Sequence, residues 1–345
     1  MNVAFLPVYP NPYQQLLREG LENAGITVEF LETLPTAEWL KTKRSRVDIL
    51  HYHWLDGLYM NRFRTPVQAL RFIHHYRLAR DLGFHIVWTA HNILPHRSII
   101  RPLDVAIHRL VMRDADVVIT HCEAGRRELL DRFPRNGPIE VIPLGNYGGV
   151  YPVTMTKPEA RGSLGLENSQ FVYLALGNIA GYKGLEKFAA AFTQVAGKDD
   201  VAIVAGRNRD QSVVNRLKHL QARDARIRVL DGYIPVDEMQ RYLLAADVMV
   251  APFEKVLTSS SVILGLTFGL PVIAPALGCL PELITDEAGI LYRPSDPAAL
   301  SQALVNIKSE DIAAMGAAAR RIADGLKWDD IGRRTASAYE KCLRS

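Results

Sequence analysis

The chain alternates short apolar runs with segments of mixed, helical periodicity. Apolar runs of this length, rich in β-branched residues and bounded by polar stretches, predict buried strands. Their alternation with helical segments predicts an α/β fold with parallel, doubly wound sheets. The pattern stops at a polar interval over residues 152–168 and then starts again. The predicted strands are Val3–Val8, Val28–Leu31, Val47–Trp54, His85–Ala90, Val117–Thr120, Ile139–Leu144, Phe171–Leu176, Val201–Ala205, Ile227–Leu230, Val248–Phe253, Val272–Ala274 and Gly289–Tyr292.

This restart divides the chain into two predicted domains. At 345 residues the chain is too long for one ordinary core and suits domains of about 150 residues each. We predict Rossmann-like domains over residues 1–155 and 165–325, joined by a linker. The final segment, 326–345, carries Trp328 and Tyr339, and we expect it to pack on the first domain. If the two sheets face each other, the carboxyl ends of their strands line one central cleft, where ligands bind in open α/β sheets.

Charge and hydropathy narrow the range of partners. The net charge of +4 is too small to indicate a dedicated nucleic-acid binder, so we expect no nucleic-acid partner. The first residues enter a strand without a basic leader, and no apolar run approaches the roughly 20 residues that span a bilayer. We therefore expect a cytoplasmic protein, with at most peripheral contact with the inner face of the plasma membrane.

Residues 62–80 combine arginines with large apolar side chains. A basic helix with an aromatic face can lie on an anionic membrane surface. An ordinary amphipathic helix that covers the first sheet would have the same composition. The arginines are Arg62, Arg64, Arg71, Arg77 and Arg80, and the apolar residues include Phe63, Leu70, Phe72, Ile73, Tyr76 and Leu78.

Residues 248–284 predict an anion site. An apolar strand is followed by a polar turn and then by the apolar run of a short helix. The hydroxyl residues Thr258, Ser259, Ser260 and Ser261 fall at the start of that helix. Free backbone amides and the positive end of a helix dipole bind anions there, most often phosphate.

The segment GNIAGYKG, Gly177–Gly184, also leaves a strand and enters a helix. Its glycine spacing does not fit the dinucleotide fingerprint G-x-G-x-x-G. Lys183 stands near a helix N-terminus, where its charge opposes the dipole, and an anion such as a diphosphate would explain it. A solvated surface lysine is the simpler alternative.

Several histidines follow predicted strands: His51, His53, His91 and His121. At the carboxyl end of a strand, His91 could contact a sugar hydroxyl or position a reacting group. Alternatively, these histidines have a structural role and are held by hydrogen bonds. We expect no metal, because no carboxylate or cysteine completes a familiar ligand spacing.

Taken together, the sequence resembles the group 1 glycosyltransferases of the GT-B fold, a retaining class that uses nucleotide sugars. GNIAGYKG resembles the family's G-R-x-x-x-x-K-G, and VIPLGNY stands where the family has V-I-P-N-G-V. DGYIPVDEMQRYLLAADVMVAPF and GLPVIAPALGCLPELI are similar to the motifs that follow in the same order, and WDDIGRRTASAYEKCL resembles the family's closing helix. The resemblance covers nearly the whole chain.

The resemblance implies roles for individual positions. Lys183 matches the lysine that neutralises the donor diphosphate, and His91 matches the histidine near the donor sugar. Ser259, Ser260 and Ser261 match the positions where backbone amides hold phosphate oxygens. Tyr233 and Ile234 fall where the loop meets the nucleobase.

The chain also departs from the family pattern. Asn178 replaces an arginine, and Val256 and Leu264 align with the two glutamates of a Glu-x7-Glu pair. Arg207 could restore the positive charge, and Glu254 could approach the donor sugar. A Gly-Gly turn in the first strand–helix loop is replaced by YPNPY at 9–13, and we expect Tyr9, Tyr13 and His53 to contact the acceptor.

We therefore expect a hexosyltransferase that moves a sugar from a UDP- or GDP-sugar to a lipid-linked or glycan acceptor in surface polysaccharide or glycolipid assembly. No cofactor or metal is expected, because the protein supplies the positive field. Retention follows only from the resemblance, and inversion with a base from the first domain stays open. The alternatives are a non-catalytic nucleotide-sugar-binding subunit of a transferase complex and a sugar-nucleotide epimerase of the same fold.

Overall fold

The computed structural model describes residues 1–9, 11–61, 63–96 and 98–344. The chain divides into two compact units, Met1–Gly145 with Leu326–Ser345, and Asn146–Gly325. Each unit is built on one six-stranded sheet whose paired strands are all parallel. The predicted α/β class, with two doubly wound parallel sheets, is confirmed.

The sheet of the first unit has the strand order β2-β1-β3-β4-β5-β6. Every strand except the edge strand β6 buries apolar side chains, and helices follow most strands as parallel pairing requires. The strands are β1 (Asn2–Leu6), β2 (Thr27–Phe30), β3 (Ile49–Tyr52), β4 (His85–Thr89), β5 (Val117–Thr120) and β6 (Ile139–Val141). The helices are α1 (Pro12–Asn23), α2 (Ala37–Lys43), α3 (Asp56–Tyr59), α4 (Thr65–Asp81), α5 (Arg101–Asp114) and α6 (Glu123–Arg132).

The sheet of the second unit has the order β12-β11-β10-β7-β8-β9. Its first strand in the sequence, β7, lies beside β10, so the strand order reverses between these two strands. The strands are β7 (Phe171–Leu176), β8 (Asp200–Gly206), β9 (Ile227–Asp231), β10 (Val248–Val250), β11 (Val272–Pro275) and β12 (Gly289–Tyr292). The helices are α7 (Lys157–Ser163), α8 (Leu185–Val195), α9 (Gln211–Arg223), α10 (Met239–Ala245), α11 (Ser260–Thr267), α12 (Leu280–Leu283), α13 (Ala299–Asn306) and α14 (Ile312–Gly325).

The interval 152–168, which we predicted as a linker, belongs to the second unit and contains α7. Thr156 and Glu159 form a capping box that starts this helix. The buried Arg161 holds it to the sheet, because its guanidinium lies 2.7 Å from the Asp247 carboxylate. The prolines and glycines that suggested a linker therefore start and end a short helix.

The last helix, α15 (Trp328–Arg344), belongs to the first unit and packs against α1. The two helices approach most closely at Gly20 and Gly332. A Cβ added to Gly332 would lie 2.2 Å from the backbone of Gly20, and one added to Gly20 would lie 2.4 Å from the Trp328 carbonyl oxygen. This close approach requires glycine on both helices.

We predict that Gly332→Ala destabilises the protein by about 1–3 kcal/mol, because the new methyl group meets backbone rather than a flexible side chain. The midpoint of thermal unfolding measures this effect. Gly162→Ala is the matched control, since Gly162 is also helical but has nothing within 4 Å of an added Cβ. Its midpoint should stay or rise slightly. Equal midpoints for the two variants would contradict the close packing of α1 and α15.

Candidate active site

Each unit concentrates its polar chemistry at the carboxyl ends of its strands. In the second unit the relevant strands are β7 and β10, neighbours at the point where the strand order reverses. Ligands of open α/β sheets bind at such a switch point. A depression there is lined by the end of β7, the loop to α8 and the loop from β10 to α11, with Gly177, Asn178, Lys183, Phe253 and Ser261 among its residues.

Lys183 is the charged residue of this depression. It ends a 3-10 turn, Gly181–Lys183, and its Nζ lies 3.4 Å from the Ser261 Oγ and 4.5 Å from the centre of the Phe253 ring. Burial lowers the pKa of its amine to about 8, so the amine is still mostly protonated at pH 7. No carboxylate pairs with it in the described part of the chain. A half-buried cation in this position is suited to an anionic ligand.

The start of α11 supplies hydroxyl groups and free amides to the same place. Ser259 is the N-cap, and its Oγ accepts a hydrogen bond from the Val262 amide at 3.3 Å. The Oγ atoms of Ser259 and Ser261 lie 3.0 Å apart. The amides of Ser260 and Ser261 are in the first turn, where helical geometry gives them no partner within the helix. Lys183 and α11 together form a positive pocket for an oxyanion.

Glycines keep this pocket open. Gly177 has φ +122°, and a Cβ there would lie 3.7 Å from the Lys183 Nζ and 3.9 Å from the Ser261 Cβ. Gly184 has φ +66°, and a Cβ there would lie 1.9 Å from the Pro252 carbonyl oxygen. The loops after β7 and β10 can touch only because Gly184 lacks a side chain, and a ligand can reach the amine beside Gly177.

A second group of predicted residues lies after β8 and β9. The Arg207 guanidinium stacks 4.9 Å from the centre of the Tyr233 ring. Tyr233 is 65% exposed and Ile234 is half-buried. An exposed aromatic ring of this kind offers a stacking surface for a flat ligand.

The remaining predicted residues of this unit do not all turn toward Lys183. Glu254 is exposed and forms an ion pair with Lys187 at 2.9 Å. Asn178 is exposed at the rim, and Thr258 is half-buried in the loop before α11. The sequence did not indicate Phe253, whose ring lies against the Lys183 amine, because its apolar run reads only as a buried strand.

In the first unit the predicted site residues are aromatic rings and imidazoles. His91 follows β4, and its ring stacks on Trp54 with the centres 4.2 Å apart and an angle of 12°. The Tyr13 ring meets His91 edge-on at 4.9 Å, and the Tyr9 ring meets Trp54 at 5.2 Å. His53 lies beside them, with its ring centre 5.5 Å from that of His91. The structure therefore brings together Tyr9, Tyr13, His53 and His91, and adds Trp54, which the sequence did not indicate.

The histidines of this cluster are buried, and their burial lowers their pKa values. Burial lowers the pKa of His51 to about 3 and that of His121 to about 4. It also holds the pKa of His53 and of His91 well below the ordinary value, and the neighbouring imidazoles add to the effect. His51 is fixed from both sides, because its Nδ1 lies 2.7 Å from the Tyr339 hydroxyl and its Nε2 lies 2.7 Å from the Thr89 hydroxyl.

We predict that stability falls as the pH drops from about 6.5 toward 4. Over this range the imidazoles of the unfolded chain bind protons, whereas the four buried imidazoles of the folded chain have lowered pKa values and bind fewer. The difference lowers the free energy of unfolding by up to about 1.4 kcal/mol per pH unit for each ring. The groups that contact these rings include Phe5, Tyr13, Trp54, Thr89 and Tyr339, and Asp56 lines the same pocket as His53 and His91.

Thermal midpoints between pH 7.5 and pH 5 test this prediction. The midpoint should stay nearly level above pH 7 and fall below pH 6.5. His219→Gln, which removes an exposed histidine of α9, should keep the same slope, whereas His121→Gln should flatten it. A midpoint that does not change over this range would show that the cluster is charged or solvated in the folded protein.

The basic segment 62–80 forms α4, apart from its first residues; Arg62 lies outside the described residues. One face of the helix, including Phe72 and Tyr76, is buried on the first unit. The opposite face exposes Val67 by 64% and Leu70 by 69%, and Phe63, which precedes the helix, is 84% exposed. Arg64, Arg71 and Arg77 are exposed as well. The buried face fits an amphipathic helix that covers the first sheet. The exposed face has the composition expected of a membrane-binding surface, and membrane contact stays a prediction.

Two absences complete the description, and both concern only the residues that the structure describes. No group of three or more His, Cys, Asp or Glu side chains is placed to hold a metal ion. None of the helices is long and apolar enough to cross a membrane.

Comparison with known proteins gives consistent matches over both units. Residues 3–145 match the family model "Glycosyl transferase 4-like domain", and residues 170–310 match the model "Glycosyl transferases group 1". D-inositol 3-phosphate glycosyltransferase of Streptomyces avermitilis is 24% identical over a match that covers 97% of this chain and 73% of that protein. GDP-mannose:glycolipid 4-beta-D-mannosyltransferase of Xanthomonas campestris is 23% identical, covering 76% of this chain and 72% of that protein.

The fold is also found among solved structures. Anabaena HepE in complex with UDP-glucose matches with a TM-score of 0.75 and 18% identity, and the match covers 99% of each chain. At this level of identity the likeness concerns the fold.

Proposed function

The chain belongs to the group 1 glycosyltransferases of the GT-B fold, and we propose that it moves a hexosyl group from a nucleotide diphosphate sugar to a hydroxyl of a lipid-linked or glycan acceptor. The observation that carries this proposal is the Lys183 amine, which lies beside the N-terminus of α11 and has no carboxylate partner among the described residues. A diphosphate supplies the charge that this pocket lacks.

The pocket acts on the leaving group. As the bond between the anomeric carbon and the diphosphate oxygen breaks, negative charge builds on the phosphate. The Lys183 ammonium group and the amides of Ser260 and Ser261 would stabilise that charge, and one such donor contributes about 3–4 kcal/mol to transition-state stabilisation. Since the protein provides these positive groups itself, we propose a reaction that requires no metal or other cofactor.

The nucleoside would extend toward β8 and β9. There, the ring of Tyr233 offers its face to a base, and Arg207 adds a positive charge beside it. Ile234 and Asn178 would complete this wall. A carboxylate that would hold the ribose has no counterpart here, because the two aligned positions are Val256 and Leu264. The similarity to HepE, solved with UDP-glucose, and to an enzyme named for GDP-mannose makes UDP- and GDP-sugars the first donors to test.

The acceptor would bind to the ring cluster of the first unit. Aromatic faces pack against the C–H faces of sugar rings, and Tyr9 and Trp54 offer such faces near His91. Tyr13 and His53 contact Trp54, with ring centres 6.0 Å and 5.8 Å from its own. Neither glutamate of the family's pair is present near the donor, because Val256 and Leu264 occupy the aligned positions.

Incubation with UDP-, GDP- and ADP-sugars tests the proposal and its alternatives. A donor present at about 100 times its Kd raises the free energy of unfolding by roughly 2.7 kcal/mol, which a thermal-shift screen detects. Transfer or donor hydrolysis by the single chain excludes a non-catalytic subunit. Conversion of the donor to its epimer without an acceptor would identify an epimerase. No stabilisation by any nucleotide sugar would contradict all three functions.

We predict that Lys183→Ala lowers kcat about 100- to 1,000-fold with the best donor, because the leaving phosphate loses its nearest cation. Steady-state kinetics measure the loss. The matched control is Lys198→Ala, which removes an exposed lysine before β8 and should keep full activity. A fully active Lys183→Ala enzyme with an unchanged fold would overturn the diphosphate role.

The exposed face of α4 suggests how a lipid-linked acceptor is reached. Val67, Leu70 and Arg71 are exposed on the helix, and Phe63 and Arg64 are exposed just before its start. Apolar insertion combined with attraction to anionic lipids is typical of peripheral membrane helices. We propose that this face binds the anionic inner surface of the plasma membrane.

We predict that the protein co-sediments with phosphatidylcholine vesicles that contain phosphatidylglycerol, and that added salt weakens this binding. The double variant Val67→Ser/Leu70→Ser should bind about tenfold more weakly or worse, because it removes apolar area that the bilayer would cover. Val305→Ser changes an exposed valine of α13 and should bind as the unmodified protein does. Equal binding by both variants would exclude α4 as the membrane surface.

A further inference from the structure

Three histidines of the ring cluster are joined end to end. The His121 Nδ1 lies 2.9 Å from the carbonyl oxygen of Ile142. The His121 Nε2 lies 3.2 Å from the His91 Nδ1, and the His91 Nε2 lies 3.3 Å from the His53 Nδ1. The His53 Nε2 is buried and has no hydrogen-bond partner among the described residues. Both ring nitrogens of His91 are therefore engaged inside the protein.

The contact with the Ile142 carbonyl oxygen determines which nitrogen carries the proton in each of the three rings. A carbonyl oxygen only accepts, so the Ile142 contact requires a proton on the His121 Nδ1. A neutral His121 then has a lone pair on Nε2 and accepts from the His91 Nδ1–H. By the same rule His91 accepts from the His53 Nδ1–H. Each neutral ring can make these contacts only as the Nδ1–H tautomer.

We propose that His53, His91 and His121 form one directional chain of neutral imidazoles, and that His121 and His53 are positioning residues that fix the tautomer and the orientation of His91. The Ile142 carbonyl sets the direction of the chain. The free lone pair of the series is on the His53 Nε2, the buried nitrogen that has no partner among the described residues. Stacking on Trp54 and edge contact with Tyr13 hold the His91 ring in the remaining directions.

Nitrogen-15 NMR of the full chain labelled at histidine tests the chain without requiring turnover. At pH 7.5, the spectra should show His53, His91 and His121 each with a proton on Nδ1 and a bare Nε2. Single substitutions assign the signals. If a substitution prevents folding, through-space contacts to Trp54 and Tyr13 assign that ring in the unmodified protein. An Nε2–H tautomer or a charged ring at any of the three positions would overturn the proposal.

The role of His121 in positioning His91 rests on the proposed transferase function and has its own measurement. His121→Leu should lower kcat about 10- to 100-fold and change the KM for the donor less than kcat, since His91 is misplaced while the diphosphate pocket is intact. His121→Gln keeps both an N–H donor and an oxygen acceptor and should recover part of the loss. His219→Gln is the control with full activity.

The two measurements fail separately. Full kcat in the His121→Leu enzyme would show that the chain does not position His91 for transfer. Equal losses in the leucine and glutamine variants would also contradict the hydrogen-bond role. An unmodified protein with the expected tautomers but no activity with any nucleotide sugar would refute the proposed function, while the directional chain would stand.

Discussion

A half-buried amine without a carboxylate partner is the constraint on which the second unit depends. Removing a cation from water is costly, and among the described residues Lys183 is offset by the Ser261 hydroxyl and by the rings of Phe253 and Tyr182, with no carboxylate beside it. The surrounding loops are arranged to keep it there. Gly184 lets the loop after β7 touch Pro252, and Gly177 leaves the space beside the amine unfilled. Stability alone would favour a carboxylate in that space, so its exclusion is best explained by an anionic ligand.

The two units place groups of different charge at the ends of their strands. The second unit holds positive charge at a strand end and a helix N-terminus, where a leaving diphosphate needs it. The first unit buries the imidazoles of His53, His91 and His121, which lowers their pKa values, and it links the three rings in series. Neutral rings hold one another by hydrogen bonds without attracting a second phosphate. This division fits an enzyme that binds an anionic donor group and an uncharged acceptor group with different parts of the chain.

The sequence predicted the fold more completely than the site. Apolar runs and their restart are local signals, and they were enough for two parallel sheets and for a helix beginning at the serines. The resemblance linked Lys183 and Ser261 separately to phosphate, and the contact between them is visible only in the structure. Contacts between distant side chains were not visible in this way. The ion pair of Glu254 with Lys187, the Phe253 ring under the amine and the direction of the histidine chain all depend on tertiary packing. The interval 152–168 was misjudged because proline and glycine at helix ends look like linker residues.

The departures from the family pattern make sense as one change in charge. The resemblance implies an arginine and two glutamates around the donor, and this chain has Asn178, Val256 and Leu264 instead. Leu264 is buried in α11 and Val256 is half-buried. Neither side chain can supply the charge of the glutamate that the family has at its position. Because the arginine and the two glutamates of the family pattern are absent together, Lys183 is the charged residue that lines the depression. A donor site of this kind would depend less on holding the ribose and the sugar by charge, and more on the diphosphate itself.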